Sequence, residues 1–284
     1  MQRVQRTKKL AVAGLVCVAI VAIAESKREY RFAVGPKARV SVLNRFGPVS
    51  VRPASGNQVT VTAVAHSDKV EVDQEQTGNL VHIQTHLLPG ADAESGRVDY
   101  EVSVPADTSV TLNASTGPLR VEKIGGDVTV EASAAPVEVR DISKNVHVHI
   151  KTMSGPVTLA NIQGGHIEIN SVSGDVSLSQ VSGPLVQISS TSGKISYDGD
   201  FGAGGEYSFL SHSGDILANI PPTASFDVTA RSIHGAVEND FPFEPKAHTS
   251  FAVVPGSSFA GTIGKAASSV VLRTFSGKIR LKKR

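Results

Sequence analysis

Three observations predict that this sequence is all-β, a single-stranded parallel β-solenoid of β-helix-like form. The first is a recurring Ser-x-Ser-Gly phrase, followed by one residue and an alternating apolar and polar strand. It stands at Ser115-Thr116-Gly117, Ser154-Gly155, Ser173-Gly174, Ser192-Gly193, Ser213-Gly214 and Ser276-Gly277, with a variant at His234-Gly235. Gly155 to Gly174 and Gly174 to Gly193 are each 19 residues (174 − 155 and 193 − 174). A fixed period in this range marks units that stack on their neighbours. The second observation is an interleaved series: Ile124-Gly125-Gly126-Asp127-Val128, Ile142-Ser143-Lys144-Asn145-Val146, Ile162-Gln163-Gly164-Gly165-His166 and Val181-Ser182-Gly183-Pro184-Leu185. Each repeat of about 19–20 residues thus holds two short strands and two tight turns. The third is charge. Aligning Leu119 with Val137 sets Arg120 beside Glu138 and Glu122 beside Arg140. Such opposite-sign neighbours are what adjacent strands prefer, and a slip of one residue would turn all four inward.

Taken in order, residues 1–24 come first. Arg3, Arg6, Lys8 and Lys9 precede an uncharged stretch from Leu10 to Ala24, and Ala22-Ile23-Ala24 has the small-x-small form of a cleavage site. The stretch is shorter than the roughly 20 residues that span a bilayer comfortably. It reads as a signal peptide, with an N-terminal membrane anchor over residues 10–24 as the alternative. Either way everything after Glu25 is expected to be exported, to the periplasm, the cell surface or the medium. Cys17, the one cysteine, lies in this run behind bulky Val16, so the remainder has neither a disulfide nor a thiolate ligand.

Residues 25–105 carry strand chemistry at looser spacing: Ala38-Arg39-Val40-Ser41-Val42, Val59-Thr60-Val61-Thr62-Ala63 and Leu80-Val81-His82-Ile83, with a polar insertion from Gly90 to Arg97. They are expected to form an N-terminal cap and the first irregular rungs, since terminal repeats of stacked folds must cover an open end. Residues 106–284 hold the regular repeats. In them alternation such as Val128, Val130 and Ile167, Ile169 sends every second side chain inward. The turn glycines are expected to supply positive φ. After the Phe241-Pro242-Phe243-Glu244-Pro245 loop, Val270-Val271-Leu272-Arg273 and the Ser276-Gly277 phrase are expected to close the stack.

Composition excludes several classes. Net charge is +2, with basic residues scattered and only Lys282-Lys283-Arg284 clustered, so no nucleic-acid stripe is present. Tryptophan is absent and aromatics are 5%, which leaves no stacking platform for bases or sugars.

The Val104-Pro105-Ala106-Asp107 strand end, the serial Ser-x-Ser-Gly phrases, the Val237-Glu238-Asn239-Asp240-Phe241-Pro242-Phe243 segment and the closing Ser276-Gly277-Lys278-Ile279 resemble the bacterial putative-adhesin family over residues 30 to 284. The resemblance implies a β-helix-like or β-roll fold in an exported protein. It transfers no catalytic set, because the shared motifs are turn motifs of a domain of unknown function.

Candidate chemistry is sparse. His147 and His149 share one strand face, and Glu168 falls on the next rung, so the three could approach one metal ion; the alternative is ordinary polar surface. His82 with His86, and His212 with His234, make weaker pairs. Asp127, Asp175 and Asp215 follow turn glycines, where a carboxylate bonds local amides; the Gly-Gly-x-Gly-x-Asp series of a calcium β-roll is missing. Serines that recur at every rung do not read as a nucleophile, and no Gly-x-Ser-x-Gly elbow, phosphate loop or His-Glu-x-x-His occurs. The expectation is therefore a non-catalytic protein without cofactor. Its partner would be an envelope protein or glycan, met through Ser177 to Asp198 or the Phe241 to Pro245 loop. End-to-end self-association in a structural or stress-linked role and a polysaccharide-active β-helix are the alternatives.

Overall fold

A computed structural model describes residues 25–142 and 146–284. The expected signal or anchor over residues 1–24, with Cys17, and the turn residues Ser143-Lys144-Asn145 lie outside the described residues. The described chain is all-β, with a 12-stranded and a 13-stranded sheet, both mostly parallel. From Ser109 to Ile220 it alternates between them. Leu119–Glu122, Val137–Arg140, Val157–Gln163, Val176–Ser182, Ile195–Asp198 and Ile216–Ile220 lie side by side in the first sheet. Ser109–Ala114, Val128–Ala132, His147–Thr152, His166–Ser171, Leu185–Ser190 and Glu206–Ser211 do so in the second.

Alternation explains why these segments are strands and where they point. Leu119, Val137, Val157, Val176, Ile195 and Ile216 stack as one inward ladder, each at most 2% exposed. Val128, Val148, Ile167 and Val186 answer from the facing sheet. Burying such side chains is worth about 1.5–3 kcal/mol each. The charge register read from the sequence holds, with Arg120 opposite Glu138 and Glu122 opposite Arg140. Arg120 Nε lies 3.2 Å from Glu138, but Glu122 turns the other way, to Arg52 at 2.9 Å.

The Ser-x-Ser-Gly phrase is a three-part device. Its first hydroxyl is buried and donates to the carbonyl of the turn glycine: Thr152 to Gly155 at 3.0 Å, Ser171 to Gly174 at 2.7 Å, Ser190 to Gly193 at 3.0 Å. Its second serine donates to the preceding rung, Ser173 to the Met153 carbonyl at 3.1 Å and Ser192 to that of Val172 at 3.3 Å. The glycine is needed for space. A Cβ on Gly174 would sit 2.1 Å from the Gly155 carbonyl oxygen, and one on Gly193 equally close to that of Gly174. The expectation that the turn glycines supply positive φ holds at Gly117 (φ 95°) and Gly164 (φ 74°) and is corrected at Gly174 and Gly193, where close backbone stacking is what excludes a side chain. Among non-glycine residues of the repeats, left-handed φ falls at the opposite turn, on Lys123, Asp141, Asn161 and Gln180 (φ 54–57°).

Both ends depart from sequential stacking. Arg39–Asn44 and Val49–Pro53 join the parallel ladders beside Ser109–Ala114 and Leu119–Glu122, and antiparallel pairs lie outside them, such as Ser26–Ala33 with Gln58–Ala65 and Val70–Thr77 with Leu80–Leu87. At the other end Ser269–Thr274 lies between Glu206–Ser211 and Phe226–Ser232, while Ile279–Lys283 lies between Ile216–Ile220 and Val237–Asn239. The Ser276-Gly277 turn is thus an interior rung, and residues 226–263 lie beyond it. Inside this end the repeat widens to hold an aromatic cluster, with Phe201 stacked 4.8 Å from Tyr197 and meeting Tyr207 and Phe226 edge-on.

Candidate functional site

The chemistry-bearing side chains of the sequence lie on the outer face of the second sheet, where pairing fixes their columns. His147 stands opposite His166, and His149 opposite Glu168. His149 Nδ1 is 3.3 Å from Glu168 Oε2, and Asn170 donates to the other oxygen of that carboxylate at 3.0 Å. His147 belongs to a different column. Its Nε2 is 3.0 Å from His166 Nδ1 and its Nδ1 is 3.3 Å from Asp127 Oδ1, which also accepts the His147 backbone N–H at 2.9 Å. The structure thus divides the expected trio: Glu168 pairs with His149, and His147 pairs with His166. Rungs 19 residues apart (166 − 147) carry this offset, so counting 19 along the chain would have found His166. Among the described residues no group of three or more His, Cys, Asp or Glu side chains converges as a metal-ligand set.

The other candidates resolve into packing. His82 contacts Gln84 at 3.5 Å on its own strand, and His86 stands opposite Glu71. His212 and His234 come together through Phe275: the first stacks on it at 4.9 Å, the second meets it edge-on at 4.8 Å. The aspartates that follow turn glycines do not bond their own turn. Asp127, Asp175 and Asp215 each accept the backbone N–H of the matching residue one rung on, those of His147, Lys194 and Lys278. That job needs a short carboxylate beside the ladder and requires no ion. In the loop, Phe241 is buried edge-on to Phe226, and Phe243 packs on Phe259, so both aromatics cover the end of the stack.

A groove of about 620 Å³ runs along the same outer face. One wall is the column Glu131, Lys151, Asn170 and Ser189, and the other includes the exposed Met153 and Val172. Met153, Val172, Thr191, His212, Phe275 and Ile233 occupy the x of successive Ser-x-Ser-Gly phrases or their variants. Their strands are neighbours in that order, so these residues form one exposed row.

Groups with displaced ionisation lie elsewhere. Burial pushes the phenols of Tyr197 and Tyr207 up in the aromatic cluster, and that of Tyr100 up to about 12 at the far end. The Ser95 hydroxyl holds Asp92 below the usual carboxylate range, and that of Thr262 does the same for Asp227. They serve turns and packing, and none of them lines the groove.

The turn phrases, the stacked ladders and the sequence converge on one kinship, for Toastrack DUF4097 matches the chain over residues 41–282. The chain belongs to the Toastrack DUF4097 family. This bears out the kinship to a domain of unknown function read from the turn phrases. No curated protein matches the chain. Among solved structures, a putative adhesin of Bacteroides fragilis is similar at 9% identity and a TM-score of 0.47, covering 91% of this chain and 98% of that one. A putative adhesin of Parabacteroides distasonis (13% identity, TM-score 0.32) covers 91% and 97%. A putative cell adhesion protein of Clostridium sporogenes (12% identity, TM-score 0.28) covers 91% and 100%. Likenesses at this level carry no argument about what this Toastrack chain binds.

Proposed function

We propose that this Toastrack protein is a non-catalytic, adhesin-like protein of the cell envelope. It would be exported through residues 1–24, either cleaved or kept as an anchor. We read its winding as a single-stranded β-solenoid of 106–284, with 25–105 capping one end. It holds a partner, an envelope protein or glycan, on the outer face of the second sheet. The observation that carries this reading is the exposed row from Met153 to Ile233 beside the groove of about 620 Å³. With strands about 4.8 Å apart, its six residues run roughly 24 Å along the molecule, a length suited to an extended partner rather than a small ligand. The non-catalytic part is supported by where the ionisation-shifted groups lie: none of them lines the groove, whereas active sites gather such groups in a cleft. Polymerisation end to end is disfavoured by the outermost strands, which are short (Val237–Asn239, Glu244–Pro245) or charged (Ser26–Ala33, Val70–Thr77), and no observation favours a polysaccharide-active site.

Cross-linking in living cells tests the reading. A photoreactive residue in place of Asn170 lies in the groove, and one in place of Ser177 lies on the opposite sheet. Capture of one defined protein or glycan at position 170 and none at position 177 is the expected result. Equal capture at both positions, or capture at 177 alone, removes the proposed face.

A further inference from the structure

We propose that His147 and His166 form a two-imidazole site for a divalent transition ion of tetragonal preference, copper(II) or nickel(II), with Asp127 orienting the first ligand. The cross-rung geometry carries the assignment. His147 Nε2 and His166 Nδ1 face each other at 3.0 Å, with the rings 4.9 Å apart between centroids. Metal–imidazole bonds of about 2.0–2.1 Å convert that separation into an angle at the ion of roughly 95°, near the right angle of cis positions in a square plane; a tetrahedral ion would need nitrogens about 3.3 Å apart. Imidazole donors in a tetragonal arrangement suit copper(II) and nickel(II).

The ligand nitrogens are prepared for this role. Asp127 Oδ1 lies 3.3 Å from His147 Nδ1 and is itself fixed by the His147 backbone N–H at 2.9 Å. A carboxylate on one ring nitrogen holds the proton there, fixes the tautomer and leaves the other lone pair free for a metal. In the ion-free pair, His166 Nδ1–H donates to His147 Nε2. Binding moves the His166 proton to its Nε2, so both imidazoles stay neutral and no proton is lost. His147 is well exposed, with a side-chain accessibility of 65%, so water can complete the coordination. Glu168, 3.3 Å from His149 in the adjacent column, adds carboxylate charge to the same face.

Titration of the metal-free full-length protein with copper(II), and separately with nickel(II), tests the site by calorimetry and by the nitrogen hyperfine splitting of bound copper. One equivalent with two coordinated nitrogens is expected. His147→Ala and His166→Ala should each weaken binding by more than about tenfold, and Asp127→Asn by about tenfold, through loss of orientation. His149→Ala should leave it unchanged. His147, His166 and Asp127 are exposed and His149 is half-buried, and an unaltered β-sheet circular dichroism spectrum checks each fold. Binding that survives in the His147→Ala/His166→Ala double variant, or that falls as far in His149→Ala as in His166→Ala, overturns the assignment.

Discussion

At the scale of single residues, glycine carries two different requirements in this chain, and only one of them was readable. The sequence announces Gly174 and Gly193 by their period, but a letter cannot say whether φ or space demands it. In the fold the demand is space, since a Cβ at Gly174 would lie 2.1 Å from a backbone oxygen of the neighbouring rung. Gly204 is the converse, with φ +76° and nothing within 4 Å of its absent Cβ. Gly174→Ala should therefore cost about 3 kcal/mol or more, because backbone cannot yield as a side chain would. Gly204→Ala should cost about 1 kcal/mol of left-handed strain; chemical denaturation separates the two. A buried phenol gives a second residue-level outcome. The Tyr100 hydroxyl lies 2.8 Å from that of Thr85, which donates to Asn44 at 2.9 Å. Its ionisation is pushed up to about 12, so the folded state holds a proton that the unfolded chain loses near pH 10. Stability conferred by this group is complete below pH 10 and falls by about 1.4 kcal/mol per pH unit up to 12. Tyr100→Phe should flatten that part of the stability–pH curve, and an unchanged slope would exclude the assignment.

Strands were legible one by one, whereas their order at the two ends was not. Period-two alternation located segments such as Val128–Ala132, and the signs of Arg120 and Glu138 fixed the register of Leu119–Glu122 against Val137–Arg140. Nothing in Val270-Val271-Leu272 distinguishes a rung that closes the stack from one that enters it, since the inward ladder accepts any branched apolar residue. His166 was legible as the neighbour of His147, because the 19-residue period leads from one to the other. Ser269–Thr274 has parallel partners on both sides, and so does Ile279–Lys283. Deleting residues 269–284 should therefore also expose the amides of Phe226–Ser232, measured as accelerated hydrogen exchange there. Protection that persists in Phe226–Ser232 would mean that this strand is held without its inserted neighbour.

Over the whole molecule, the sheets end in strands poorly suited to recruiting another chain. Val237–Asn239 has three residues and Glu244–Pro245 two, one of them proline. Ser26–Ala33 carries Lys27, Arg28, Glu29 and Arg31, and Val70–Thr77 carries Glu71, Asp73 and Glu75. Short, charged or proline-bearing edges are the usual defence against edge pairing. The protein should sediment as one species across concentration, whereas replacing Glu71, Asp73 and Glu75 together by threonine should produce concentration-dependent association. The inserted rungs also give the molecule an assembly order unlike its sequence. Phe226–Ser232 is synthesised before Ser269–Thr274, the strand that joins it to Glu206–Ser211. Until that strand arrives, the fold holds a slot one strand wide in each sheet, lined on both sides by unpaired backbone. A separate peptide spanning residues 268–284 should fit the same slot, so that mixing it with a chain ending at residue 267 is expected to rejoin the molecule from two pieces.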